Sequence, residues 1–82
     1  MDIEFDPDKD AINRDKHGVS LAMAAELVEI VVVKDERFIE ERFRLYGRID
    51  GVRYCAAVTL RGETVRIISL RRAHRKEFRR HV

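Results

Sequence analysis

The sequence has no tryptophan, one proline and one cysteine in 82 residues. A lone Cys55 cannot close an internal disulfide, which excludes a secreted scaffold held by cross-links. No apolar run approaches the roughly 18 residues needed to cross a bilayer. The acidic start, Met1 to Asp8, lacks the basic end and apolar middle of a signal peptide. The cytoplasm, with no membrane attachment, is therefore the expected location. The three histidines and Cys55 do not fall at zinc-ligand spacings. Asp6, Asp8 and Asp10 alternate as a calcium loop does, but Pro7 and the missing downstream Gly and Glu favour a helix start. A phosphate-cradling glycine loop is also missing. The expectation is no metal and no cofactor. At this length folding buries only about 60% of the surface of the unfolded chain, which leaves room for one domain, residues 1–82, with a small core.

What the chain does have is charge, unevenly placed. Residues 1–65 hold 10 Lys and Arg against 14 Asp and Glu, a net −4; residues 66–82 hold 7 against one, a net +6. This polarity suggests a cationic C-terminal region that meets a polyanion, beside the alternative of a solvated basic helix. With 45% apolar residues the chain is rich enough to fold.

Ile3 to Phe5 reads as a short strand. Asp6 as N-cap and Pro7 at the first helical position predict a helix over 7–17, closed by Gly18 and lying across the sheet. Ser20 starts a second helix whose apolar stripe is Leu21, Ala24, Ala25 and Val28. Ile30 to Val33 is β-branched and fits either a helix end or a short extended piece. Beyond residue 37 the chain alternates. Phe43, Leu45 and Ile49 share one face and Arg42, Arg44, Tyr46 and Arg48 the other. Asp50-Gly51 signals a tight turn, and Val52 to Leu60 continues the alternation. A third strand, Thr64 to Leu70, puts Val65, Ile67 and Ser69 on one side and Arg66, Ile68 and Leu70 on the other. Arg71 to Val82 reads as a basic helix with Ala73, Phe78 and Val82 inward. The expected class is α+β: a short N-terminal strand, two helices, a three-stranded (or larger) antiparallel meander and a C-terminal helix, with helices on one face of the sheet.

Three stretches stand out: Phe5-Asp6-Pro7-Asp8-Lys9 with Asn13 and Lys16-His17-Gly18-Val19-Ser20; Glu41-Arg42-Phe43 with Gly47; and Arg66-Ile67-Ile68-Ser69-Leu70-Arg71-Arg72-Ala73 with Arg75 and Glu77. Together they resemble the BrnT family of toxins. The chain departs from the family pattern at Phe5, where Trp is usual, and at His74, where a small hydroxylated residue is common. The resemblance implies a RelE-like toxin fold and ribonuclease activity that halts translation. It also implies a companion BrnA-like antitoxin that binds DNA and forms a hetero-oligomer with the toxin.

Metal-free RNA cleavage needs a base for the ribose 2′-OH, cations for the phosphate and an acid for the leaving 5′ oxygen. Arginine suits the phosphate because its planar fork makes two hydrogen bonds and stays charged. The candidate catalytic residues are His17, Lys16, Arg66, Arg71 and Ser69, with Arg42, Arg44, Arg48, Arg72, Arg75 and Tyr46 as candidate RNA-binding residues. Each has an ordinary structural reading as well. His17 fits a C-terminal helix cap, Ser69 a cap for the last helix, Tyr46 a surface strand position. The competing functions are a catalytically silent RNA-binding domain and a basic domain that receives an acidic protein partner.

Overall fold

Asp6 starts the first helix as predicted: its carboxylate accepts a hydrogen bond from the Asp8 amide at 2.8 Å, and Pro7 needs no N–H there. This helix, α1 (Pro7–His17), closes at Gly18 with φ 74°, a left-handed cap that a side chain would strain. The structure, a computed structural model, describes residues 1–82. Around α1 it places β1 (Ile3–Glu4), a 3₁₀ helix (Leu21–Glu26), β2 (Val28–Lys34), β3 (Phe43–Ile49), β4 (Val52–Arg61), β5 (Thr64–Arg72) and α2 (Arg75–His81). None of the helices is long and apolar enough to cross a membrane.

The five strands form one sheet in the order β1-β5-β4-β3-β2. The predicted meander is its centre, β3-β4-β5, all antiparallel. The ambiguous Ile30–Val33 segment is strand, part of β2, and pairs antiparallel with β3. On the opposite edge β1 pairs parallel with β5, Ile3 against Val65.

Ser20 does cap a helix, but that helix is a single short 3₁₀ stretch. Its inward residues are Leu21, Ala24 and Leu27, spaced by three, whereas Ala25 and Val28 of the expected stripe are exposed. The expectation of helices on one face is also corrected, because the sheet is covered on both. The larger core joins Leu21, Ala24 and Leu27 to Leu45, Ile49, Tyr54, Ala56, Val58, Ile67 and Leu70. The smaller one, on the other face, joins Tyr46, Cys55, Ala73 and Phe78, so α2 lies opposite the 3₁₀ helix.

Two irregularities shape the sheet. β2 shifts register between Val28 and Val31, where Glu29 takes φ 55°. The Val28 carbonyl then comes so near β3 that a Cβ on Gly47 would sit 2.8 Å from it; only glycine fits. On β5, Ala57 faces Ser69 but the next residue of β4, Val58, faces Ile67, which leaves Ile68 as the extra residue of a bulge. This overturns the predicted faces. Leu70 joins Ile67 in the core, and Ser69 turns to the opposite side with Arg71. Arg71 and Arg72 belong to β5 and not to the last helix, which begins at Arg75, and Val82 is exposed.

Candidate functional site

Position 13 explains how α1 meets the sheet. β1 covers only the first part of the β5 edge. Further along, the buried Asn13 side chain takes over: its Oδ1 accepts from the Leu70 amide at 3.0 Å and its Nδ2 donates to the Leu70 carbonyl at 2.9 Å. The same Nδ2 donates to the Val19 carbonyl at 2.9 Å, tying the segment after the helix to its middle. One amide thus completes the sheet edge as a strand would. Held this way, α1 presents Lys9, Ile12, Lys16 and His17 to Ile68, Ser69 and Arg71, around an open cleft of about 390 Å³.

In this cleft four of the five predicted catalytic residues meet: His17, Lys16, Ser69 and Arg71. Burial, then the positive charges of Lys16 and Arg71, lower the His17 pKa below its ordinary 6.5. The imidazole is therefore neutral at neutral pH, the form that accepts a proton. Arg71 is held by a carboxylate. Its Nη1 and Nη2 donate to Glu77 of α2 at 2.9 and 2.8 Å, and Nη1 also reaches the Arg72 carbonyl at 3.3 Å. Of the five guanidinium N–H groups, Nε–H and one on Nη2 stay free for a phosphate. Glu77 also accepts from the Tyr46 hydroxyl at 2.9 Å, and that hydroxyl accepts from Arg44 at 3.0 Å. The Arg71 hydrogen bonds hold Glu77 down to about 2, and Glu77 in turn raises the pKa of Arg71.

Two neighbouring clefts extend the site. One, about 210 Å³, is lined by Arg37, Phe38, Arg42 and Arg44 and shares Ile68, Ser69 and Arg71 with the first. The other, about 300 Å³, contains Arg42, Arg61 and Arg66 and shares Lys9 and Ile68. The bulged Ile68 lines all three.

The structure separates the remaining predictions. Arg66 is not beside His17; it lies in the third cleft, paired with Glu4 at 3.2 Å. Arg42 lines two clefts and pairs with Glu40 at 2.8 Å. Arg48 lines none: its guanidinium pairs with Glu29 at 3.5 Å and covers the Phe78 ring. Arg72 and Arg75 are exposed and outside the clefts. Tyr46 is no surface tyrosine. It is fully buried, stacked on His81 and edge-on to Phe78, so no base can reach its ring. Nor does Ser69 cap the last helix, since it sits within β5.

Sequence reasoning passed over Lys9, Asn13 and Glu77 as site residues, and all three carried signals. Lys9, Ile12, Asn13, Lys16 and His17 are spaced i, i+3, i+4, i+7 and i+8, one face of a helix. A packing helix would have made that face apolar. Glu77 is the single carboxylate in residues 66–82.

Comparison with known proteins bears on the family and the fold. A family model described as the ribonuclease toxin, BrnT, of type II toxin–antitoxin system matches residues 5–77. No curated protein matches the chain. Among solved structures, the crystal structure of the Brucella abortus ribonuclease toxin BrnT matches with a TM-score of 0.74 at 23% identity. It covers 92% of this chain and 99% of that one. The match supports the mixed α+β fold with its five-stranded sheet. The family match takes in α1, the whole sheet from β2 to β5 and Glu77, so the chain belongs to the BrnT family of ribonuclease toxins of type II toxin–antitoxin systems.

Proposed function

We propose that this protein, as one RelE-like toxin domain spanning residues 1–82, is a metal-independent endoribonuclease. It halts translation in the cytoplasm and is neutralised by a BrnA-like, DNA-binding antitoxin. The observation that carries the chemistry is the meeting of a neutral His17 and a braced Arg71 in one open cleft. His17 takes the proton from a ribose 2′-OH, whose oxygen attacks the adjacent phosphorus. The free N–H groups of Arg71 and the Ser69 hydroxyl hold the phosphate oxygens. The P–O5′ bond breaks, and a neighbouring ammonium, Lys9 or Lys16, protonates the departing oxygen. The products are a 2′,3′-cyclic phosphate and a 5′-hydroxyl. Arg42, Arg44 and Arg66 line the groove on which the rest of the strand lies.

The test is cleavage of single-stranded RNA in EDTA by the purified chain, with end-group analysis. A cyclic phosphate that disappears in His17→Ala supports the reading. RNA bound but left intact points instead to a silent binding domain, and no RNA affinity to a basic protein-binding domain.

A type II family implies an antitoxin partner, and one surface suits it. Beyond the 3₁₀ helix an all-apolar cleft of about 370 Å³ opens on the sheet, lined by the exposed Met1, Ile30, Val32 and Leu60, the half-buried Phe43 and Val65, and the core residues Leu45 and Val58. It borders the free edge of β2, where Val32 is 60% exposed. An apolar patch continuous with an unpaired strand edge marks a protein contact. We place the antitoxin there; the cleft adjoins the basic clefts at Phe43 and Leu60 but contains none of their cations. Val32→Lys should weaken antitoxin capture at least tenfold and leave RNA cleavage unchanged. An adjacent reading frame encoding a small protein with a DNA-binding half is expected.

A further inference from the structure

We propose that the segment joining β2 to β3 carries a nucleobase-stacking subsite, with Phe38 as its platform, for the single strand entering the cleft of His17 and Arg71. The RNA identity of the ligand rests on the nuclease reading; the stacking platform rests on the geometry of the loop itself.

The chain has six aromatic residues, four Phe and two Tyr. Tyr46, Tyr54 and Phe78 are buried, and Phe5 and Phe43 pack against the larger core. Phe38 alone stands out, 41% exposed, and the next residue, Ile39, is wholly exposed. An apolar ring left in water on an unanchored loop would carry little meaning, but this loop is pinned. Buried Asp35 accepts three hydrogen bonds from Arg37, from its amide at 3.2 Å, Nε at 2.9 Å and Nη2 at 2.7 Å. The Asp35 amide donates to the Arg42 carbonyl at 2.8 Å, and the Thr59 hydroxyl donates to the Glu41 carbonyl at 2.9 Å. Both ends of the loop are thus fixed to the sheet while its tip projects.

The surroundings of the ring are cationic. The Arg42 guanidinium lies 4.1 Å from the ring centroid and that of Arg37 5.6 Å, with Glu40 as the partner of Arg42. Aromatic rings beside arginines are the elements with which proteins hold single strands: the ring or guanidinium plane stacks on a base and the charge meets the flanking phosphates. Phe38 also has the right address. It lines the 210 Å³ cleft that shares Ile68, Ser69 and Arg71 with the cleft of His17. The platform therefore serves a nucleotide along the groove and not the one whose phosphate reacts. Stacking tolerates every base, which predicts grip with modest selectivity.

The absence of tryptophan supplies the test. Phe38→Trp creates a single tryptophan on an exposed side chain, excited selectively over Tyr46 and Tyr54. It is titrated with a 2′-O-methyl hexanucleotide, which cannot be cleaved, and with an abasic hexamer of equal charge. The expected result is strong quenching by the first only. Phe38→Ala should weaken hexanucleotide binding on the order of 10- to 100-fold with an unchanged salt slope, and Phe38→Leu should not rescue it. Equal quenching by the abasic strand, or unaltered affinity in Phe38→Ala, overturns the subsite. Rescue by leucine also overturns it, because apolar bulk would then suffice where an aromatic plane was proposed. The two readings fail separately. Base-dependent quenching in a chain that never cuts RNA removes the nuclease and keeps the subsite. Cleavage with unaltered affinity in Phe38→Ala does the reverse.

Discussion

His17 and Arg71 come from opposite ends of the chain and meet only because Asn13 docks α1 on the β5 edge. Each residue has its own measurable consequence. For a base to work it must be unprotonated, and the burial and charges around His17 lower its pKa. The acid limb of the pH–rate profile should thus have its midpoint below 6.5. Arg71→Gln removes one of the positive charges that depress it, so in the residual activity of that variant the midpoint should move up. His17→Ala should slow single-turnover cleavage on the order of 10²–10⁴-fold without unfolding the protein. A profile whose acid limb is unaffected by Arg71→Gln would detach the two groups. Asn13 answers to stability instead. Asn13→Ala leaves a buried Leu70 amide and carbonyl unpaired, each costing about 1–3 kcal/mol, so urea unfolding should show a loss of roughly 2–6 kcal/mol.

At the scale of elements, what was legible in the sequence depended on whether a local rule had a local cause. The caps of α1, the Asp50-Gly51 turn and the alternation through β3 and β4 are set by neighbours in sequence, and they stand where they were expected. The bulge at Ile68 has no such mark. No Gly or Pro announces it, and plain alternation carried across it assigns Ser69 and Leu70 to the wrong sides. That single extra residue brings Ser69 and Arg71 to the cleft, so most of the site's geometry was hidden with it. The family resemblance supplied the residue names that periodicity could not. Tyr46 misled for a related reason, since its cover, α2, arrives from 31 residues away.

The join between β5 and α2 makes its own prediction. Glu77 is held at about 2 against an ordinary 4.5, chiefly by the Arg71 hydrogen bonds. A carboxylate depressed in the folded state stabilises fully above about pH 4.5 and loses that contribution as pH falls toward about 2. Urea midpoints should drop across that window in the wild type. Glu77→Gln should cost about 2 kcal/mol near neutrality and flatten the drop. An identical acid profile in both proteins would deny the pair its role. Gly47→Ala belongs to the same scale. Its Cβ would meet the Val28 carbonyl at 2.8 Å, and a cost of about 1–3 kcal/mol should appear as a lowered urea midpoint.

For the whole molecule, the charge split is real, and only part of the basic segment, Arg66 and Arg71, lines the clefts. The net +6 of residues 66–82 suggested that the tail grips the polyanion, yet Arg72 and Arg75 lie outside the clefts. The clefts draw instead on cations scattered from position 9 to position 71. Many of those arginines already have carboxylate partners, Arg66 with Glu4, Arg42 with Glu40 and Arg71 with Glu77. Lys9, Lys16, Arg44 and Arg61 take part in no salt bridge. A cation released from no partner contributes most to phosphate binding, because no protein ion pair has to be given up. The salt dependence of RNA binding should therefore be set by these few side chains. With about 0.7 in log–log slope per phosphate neutralised on a single strand, the wild-type slope should be near −2 to −3. Lys9→Gln and Lys16→Gln should each shallow it by about 0.7, while Arg72→Gln and Arg75→Gln should leave it unchanged. If the tail variants flatten the slope and the α1 variants do not, the strand follows the C-terminal helix and bypasses the cleft of His17.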